Sequence, residues 1–419
     1  MVFLPLGVRV TPVAYADSVR KATLFPAGKG MTPGVHALDG AAVTLDLQHA
    51  GTELEWRWQK QGPFELTGGW RTRKTGEWGL RFWVNVCLSA ESGETVRWDP
   101  SLGVAFVKVG HRYVALAPRG EPVQVTGHET VEAVAADYEA KGYFSLSARA
   151  DEAPVLALRF NLEMQADYGF GVAVADDLVL AAIRARDLAH QPQDGIAPAH
   201  IGRSAGMLDA IRDVVGWLTV WDPVNRRPYT AISRNWDLTK FGGFGVWLDD
   251  QLYTALFAGL FDPEQARENL ATALANVTPQ GNLACLVTAN DAWVDRTQIP
   301  VASLLVWMLY ERGGGEAVLR QAWETLARNH RWWWENRDPE RRGLVSYGTS
   351  DVGEGLYKGT SFGARNESSM DNSPIHDEAE YDPETRTLTT IDVGLNSMLA
   401  LDAEMLSLIA AELGYEAKA

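Results

Sequence analysis

The chain has 419 residues, 46% of them hydrophobic and 22% charged, with a formal net charge of −16. That is the composition of a globular protein long enough for two or more domains. An acidic balance without a basic cluster argues against nucleic acid and anionic membranes as partners.

The apolar start, Met1–Val10, lacks a basic n-region and a cleavage pattern. No secretion signal or membrane span is expected, and the expected location is cytoplasmic. Residues 1–172 read as β. Ala42–Gln48, Leu54–Trp58, Gly79–Leu88 and Pro154–Leu162 alternate or run apolar over strand lengths, with Gly, Pro, Asp and Ser between them. Many short strands predict an antiparallel sandwich. One helix, Glu129–Ala140, interrupts them, with an acid as its expected cap. From about residue 175 the period becomes helical, which sets the expected domains at 1–172 and 173–419. Helices are expected near 176–187, 205–218, 248–260, 263–276, 299–312, 315–335 and 391–414. Tight turns at Phe261–Pro263 and Gly313–Gly315 alternate with long connections near 219–247, 277–298 and 336–390. That alternation suits a toroid of helical hairpins whose long loops gather on one face. The long loops carry Trp, Asp, Arg and Asn rather than low-complexity sequence, which favours function.

Composition adds one positive signal. Sixteen tryptophans give an unusual supply of aromatic faces, which pack in cores and also stack on the C–H faces of sugar rings. Cys87 and Cys285 have no metal-ligand spacing and read as buried thiols. Trp332–Trp334 reads as helix packing, and Gly313–Gly315 as a turn rather than a phosphate loop.

Three stretches concentrate chemistry. In Ser233–Asp250, Trp236, Phe241, Phe244 and Trp247 could wall a ring-shaped subsite, and Gly242 and Gly243 admit a ligand or another chain segment. Asp249 and Asp250 stand at a helix start, as ligands or as plain N-terminal caps. In Asn290-Asp-Ala-Trp-Val-Asp-Arg-Thr-Gln-Ile-Pro300, the groups of Asp291, Trp293, Asp295, Arg296 and Gln298 could grip sugar hydroxyls, or form a surface ion pair. In Glu367-Ser-Ser-Met-Asp-Asn-Ser-Pro374, one helical turn would put Glu367 and Asp371 on one face. Such a pair suits a general acid, whereas Pro374 favours a loop. His376 beside Asp377 and Glu378 has no partner histidine at ligand spacing and reads as solvated, so no metal is expected.

These three stretches, in this order, resemble the motifs of glycoside hydrolase family 63, whose members include processing α-glucosidase I, bacterial α-glucosidases and mannosylglycerate hydrolases. The third is the most specific. The resemblance covers roughly 175–415, and the β-rich part resembles the sandwich that precedes the catalytic domain in some bacterial members. It implies an α+β multidomain chain, an antiparallel β-sandwich followed by an (α/α)6 toroid, and an inverting glycosidase acting on a short α-glucoside or α-mannoside without a metal or organic cofactor. Asp371 falls on the general acid, and Glu367 would support it. Trp236, Phe244, Trp247, Asp250, Asp291, Trp293, Asp295, Arg296, Gln298 and Asn372 fall on or beside sugar-binding positions. Three departures stand out: Leu248 where relatives often carry an acid, Ile299 before Pro300, and a serine, Ser368 or Ser369, where the family has a glycine. The family's catalytic base, a late Glu, has no counterpart in the 45 residues after Pro374, where Glu404 and Glu412 lack its context. The toroid is therefore expected to be incomplete in this chain. Either the chain is a truncated piece, or a second copy or second subunit completes the barrel, or the protein serves as a non-catalytic sugar-binding protein.

Overall fold

The computed structural model describes residues 2–3, 6–26, 28–143, 149–192, 197, 201–234 and 236–415. The chain separates into two compact units, Met1–Asp209 and Ala210–Ala419.

In the first unit the short strands form two antiparallel sheets. One runs Val2–Phe3, Val8–Ala16, Phe82–Ala90, Val155–Asn161, Gln124–His128, with Lys21–Thr23 also paired to Val8–Ala16. The other has nine strands, in the order Glu152–Ala153, Val96–Asp99, Val104–Val109, Arg112–Pro118, Asp167–Ala175, Glu65–Lys74, Thr52–Gly62, Ala42–His49, Met31–His36. Between them lies an aromatic core. Phe160 of the first sheet meets Trp70 and Tyr168 of the second, with ring centroids 5.8 and 4.2 Å apart, as in a sandwich. The strand expected from Gly79 begins at Phe82. Gly79–Arg81 is a 3-10 turn, and a Cβ on Gly79 would stand 2.6 Å from the Glu163 amide.

Helix α1 (Val131–Lys141) is capped by the Thr130 hydroxyl, which accepts from the Ala133 N–H, rather than by Glu129. Helix α2 (Leu178–Ala189), expected to open the helical domain, lies instead on the nine-stranded sheet. It buries Ala181, Ala182, Ala185, Leu188 and Ala189 against Val104, Ala115, Ala117 and Ala173. Small side chains allow this approach: a Cβ on Gly171 would stand 2.1 Å from the Ala185 carbonyl oxygen. A helical period identifies the buried face but not what covers it.

Helix α3 (Ala205–Leu218) runs across the division between the units. The second unit continues with α4 (Leu248–Ala258), α5 (Pro263–Leu274), α6 (Ala302–Leu309), α7 (Glu316–Arg337), α8 (Ser361–Asn366) and α9 (Val393–Glu412). All the expected helices are present. The short α8, capped by Thr360, is an addition, too brief to show a period. Helix α4 packs on α5 and α6, α6 on α7 and α9, and α7 on α9. Helix α6 passes through a π-helical turn, Tyr310–Gly314, and stops where Gly313 and Gly315 take φ of 99° and 69°, which only glycine adopts easily. Trp332 and Trp333 of α7 are buried and Trp334 is exposed. Among the described residues α9 is the one helix long and apolar enough to cross a membrane. It reads as a core helix, because Leu395, Leu399, Met405, Leu406 and Ile409 are buried and Asp402 bonds His330 of α7 at 2.7 Å.

The long connections carry short antiparallel pairs: a hairpin of Thr219–Asp222 and Arg227–Thr230, a second of Tyr381–Asp382 and Thr387–Leu388, and a three-stranded sheet of Val246–Trp247, Leu286–Val287 and Ala292–Trp293.

Candidate active site

The three-stranded sheet separates two surfaces. Its register aligns Trp247, Leu286 and Trp293 across the strands, and likewise Val246, Val287 and Ala292. Side chains alternate along a strand, so the two rows point to opposite faces. On the tryptophan side, Trp247 stands edge-on to the buried Trp293 at 5.3 Å and 89°. Phe241 stacks on Trp236 at 4.4 Å and 4°, and Tyr357 meets Trp293 at 6.3 Å. Trp236 and Tyr357 are exposed and Trp247 half-buried, so the group presents an open aromatic wall. Gly242 and Gly243 admit chain rather than ligand: their Cβ atoms would stand 2.8 Å from Ala289 and 2.3 Å from the Arg234 carbonyl oxygen. Phe244 does not join the wall. It turns to the valine face, where its carbonyl accepts from the Tyr229 hydroxyl. There it lines a separate cavity of about 410 Å³ with Asp222, Tyr229, Asn276 and Thr288.

Glu367 is the knot of the second unit. It is wholly buried and sits just past α8, not on a helical turn shared with Asp371. Its carboxylate takes both Nε and Nη2 of Arg337 at 2.7 and 2.8 Å. It also accepts the amides of Thr297 at 3.0 Å and Gly348 at 2.7 Å. Four donors from three segments saturate it. The expected like-charge pair with Asp371 is replaced by a carboxylate–guanidinium pair.

Asp295 and Arg296 are buried as well. The Arg296 Nη1 grips both Asp295 oxygens at 2.8 and 2.9 Å, its Nη2 donates to the Leu356 carbonyl, and its plane lies 4.4 Å from the Trp293 ring. Burial raises the Asp295 pKa against the pull of Arg296. This pair, expected to hold sugar hydroxyls, instead braces the back of the aromatic wall. Asp291, half-buried, accepts from the Trp293 indole at 3.0 Å and fixes its plane. Gln298 is buried, and its Oε1 accepts the Asp249 amide at 2.9 Å.

At the start of α4 the two acids part. Asp249 is buried and Asp250 exposed. Neither caps the helix, whose N-cap is Trp247 without a side-chain bond. One Asp249 oxygen accepts the Ser369 hydroxyl at 2.6 Å and the other is buried without a partner. Burial, opposed by the Ser369 bond and helped by Asp250, pushes its pKa up to about 7. The sequence held a signal for this. Asp249 falls three and seven positions before the buried Leu252 and Leu256, whereas Asp250 aligns with the exposed Tyr253 and Phe257.

Asp371 is half-buried in the turn that follows Ser369, and Asn372 beside it is exposed. That turn is closed on its far side by Ser368, whose hydroxyl meets His376 Nε2 at 2.9 Å. His376 is buried, not solvated, and burial lowers its pKa. Near this centre the Tyr347 ring meets His376 edge-on at 6.0 Å. Cys285 is a buried free thiol raised well above its usual range by desolvation, as is Cys87 in the first unit. Among the described residues no three His, Cys, Asp or Glu side chains cluster as metal ligands. Arg337 went unread in the sequence, because an arginine at a helix end carries no pattern of its own, and Ser369 stood out only as a serine where the family has a glycine.

Residues 244–419 match the family model of the mannosylglycerate hydrolase MGH1-like glycoside hydrolase domain. The resemblance to glycoside hydrolase family 63 thus holds for a segment containing the second and third stretches and the end of the first, from Phe244 to Asp250. No curated protein matches the chain. Among solved structures, the family 63 mannosylglycerate hydrolase from Thermus thermophilus in complex with glucose is 22% identical with a TM-score of 0.37, over 49% of this chain and 57% of that one. An uncharacterized conserved protein from the same organism is 23% identical with a TM-score of 0.35, over 44% and 54%. A bacterial glucoamylase complexed with acarbose is 10% identical with a TM-score of 0.42, over 83% and 64%. The chain spans little more than half the length of the first two.

Proposed function

We propose that this chain carries the acid half of an inverting glycoside hydrolase acting on a short α-glucoside or α-mannoside, such as a mannosylglycerate. The observation that carries the reading is the junction of Ser369 with Asp249. It ties the turn bearing Asp371 to the start of α4, two residues after Trp247, which supports reading a half-buried carboxyl and an open aromatic wall as one site. In this reading Asp371 protonates the departing glycosidic oxygen, Trp247 and Trp236 stack on the pyranose, and Asn372 and Asp250 reach its hydroxyls from the rim. The matched glycoside hydrolase domain supports the reaction class.

The test is turnover of α-linked disaccharides and α-mannosylglycerate by the purified chain and by D371N. A general acid contributes about 10²- to 10⁴-fold. A loss of that size at unchanged thermal stability is expected, and full turnover by D371N would remove Asp371 from the role. A second reading, sugar binding without turnover, draws on the engagement of Glu367 and Asp295 by arginines, which leaves neither free to act as a base. Saturable binding in calorimetry with no product would favour it.

A further inference from the structure

Ser369 is held in an uncommon conformation. Its φ is 59°, in the left-handed region that a residue with a Cβ adopts at a cost. Such a state persists only where its surroundings over-determine it. The surroundings here are two. Behind Ser369, the Ser368 hydroxyl donates to the Arg365 carbonyl and accepts the Met370 amide while meeting His376. In front, the Ser369 hydroxyl donates 2.6 Å to Asp249, a short O–H···O bond. Asp249 is a firm anchor, since it lies in the first turn of α4 with its amide tied to Gln298. Asp371 follows two residues later.

We infer that the Ser369–Asp249 hydrogen bond is the positioning device for the Asp371 carboxyl: it traps Ser369 in the left-handed state and so fixes where the acid-bearing turn projects beside Trp247. Asp249 and Ser369 are positioning residues here, acting through Asp371. The inference rests on the proposed role of Asp371 for its catalytic meaning, but the trap is a property of the fold and can be measured without turnover.

The experiment compares the full chain with S369A, S369G and D249N by hydrogen exchange of the amides of residues 368–373, by melting temperature, and by turnover of the α-glycoside that the wild type hydrolyses fastest. S369A loses the bond and keeps the disfavoured backbone. Its turn amides should exchange at least tenfold faster with the melting temperature near wild type, and kcat should fall about tenfold with KM little changed. S369G loses the bond but tolerates positive φ, so it should lie between. D249N retains a carbonyl acceptor and should protect the turn like the wild type. Wild-type protection in S369A, or equal loosening in S369A and S369G, would overturn the inference. If the wild type turns over no glycoside, the functional reading fails, and the exchange data still decide whether the trap exists.

Discussion

At the residue scale, the second unit is governed by where it buries charge. Asp249 carries a carboxyl into the interior with one oxygen unpartnered, and desolvation pushes its pKa from 3.8 to about 7. The folded state therefore holds this proton to about pH 7, whereas the unfolded chain releases it near pH 4. Between those limits the unfolded chain binds fewer protons, so stability falls as pH rises through the window and levels above it. The cost at pH 8 is on the order of 4 kcal/mol before relaxation. D249N cannot ionise, so its melting temperature should gain on the wild type from pH 4 to pH 7 and then hold a constant lead. A difference that does not vary with pH would mean that Asp249 is not buried as described.

At the element scale, Glu367 joins the C-terminal end of α7, the segment after the small sheet and the loop before α8 through a single carboxylate. Removing one partner of such a buried pair leaves a charge uncompensated and costs about 3–5 kcal/mol. R337M should lower the unfolding free energy by that amount, and E367Q, which keeps an acceptor and strands only the cation, should also be clearly destabilised. If R337M melted like the wild type, the knot would be incidental. The same placement separates Glu367 from Asp371, although they stand four residues apart: Glu367 is the C-cap of α8, and a left-handed Ser369 follows it before Asp371.

At the scale of the whole molecule, the proposed chemistry needs a second carboxylate. An inverting pair stands roughly 6.5–9.5 Å apart, with room for water between. Glu404 and Glu412 lie exposed on α9, and Glu412 meets the Tyr310 hydroxyl. If turnover occurs, NMR should detect the inverted anomer as first product, which would require a base from this chain, a second copy or a second subunit. A retained anomer would replace the inverting mechanism altogether.

Much of this architecture was legible in the linear order of residues. Alternation marked the strands and the 3.6-residue period marked the helices, because both are local consequences of one face being buried. The three motifs marked the candidate site because their polar groups are rarely buried without a partner. The sequence by itself could not say which polar groups the fold would consume. Arg296 and Glu367 carry groups suited to sugar recognition, yet partners distant in sequence, Leu356 for the one and Arg337 and Gly348 for the other, engage them. Phe244 and Trp247 stand three apart in one aromatic run, but a strand pleat and a left-handed backbone send them to opposite faces. Asp249 differs from Asp250 only by its turn around a helix. Local pattern decides what an element is. Which face meets solvent, and which charge meets its counter-charge, is decided only when distant segments pack, because burial and pairing are properties of that packing.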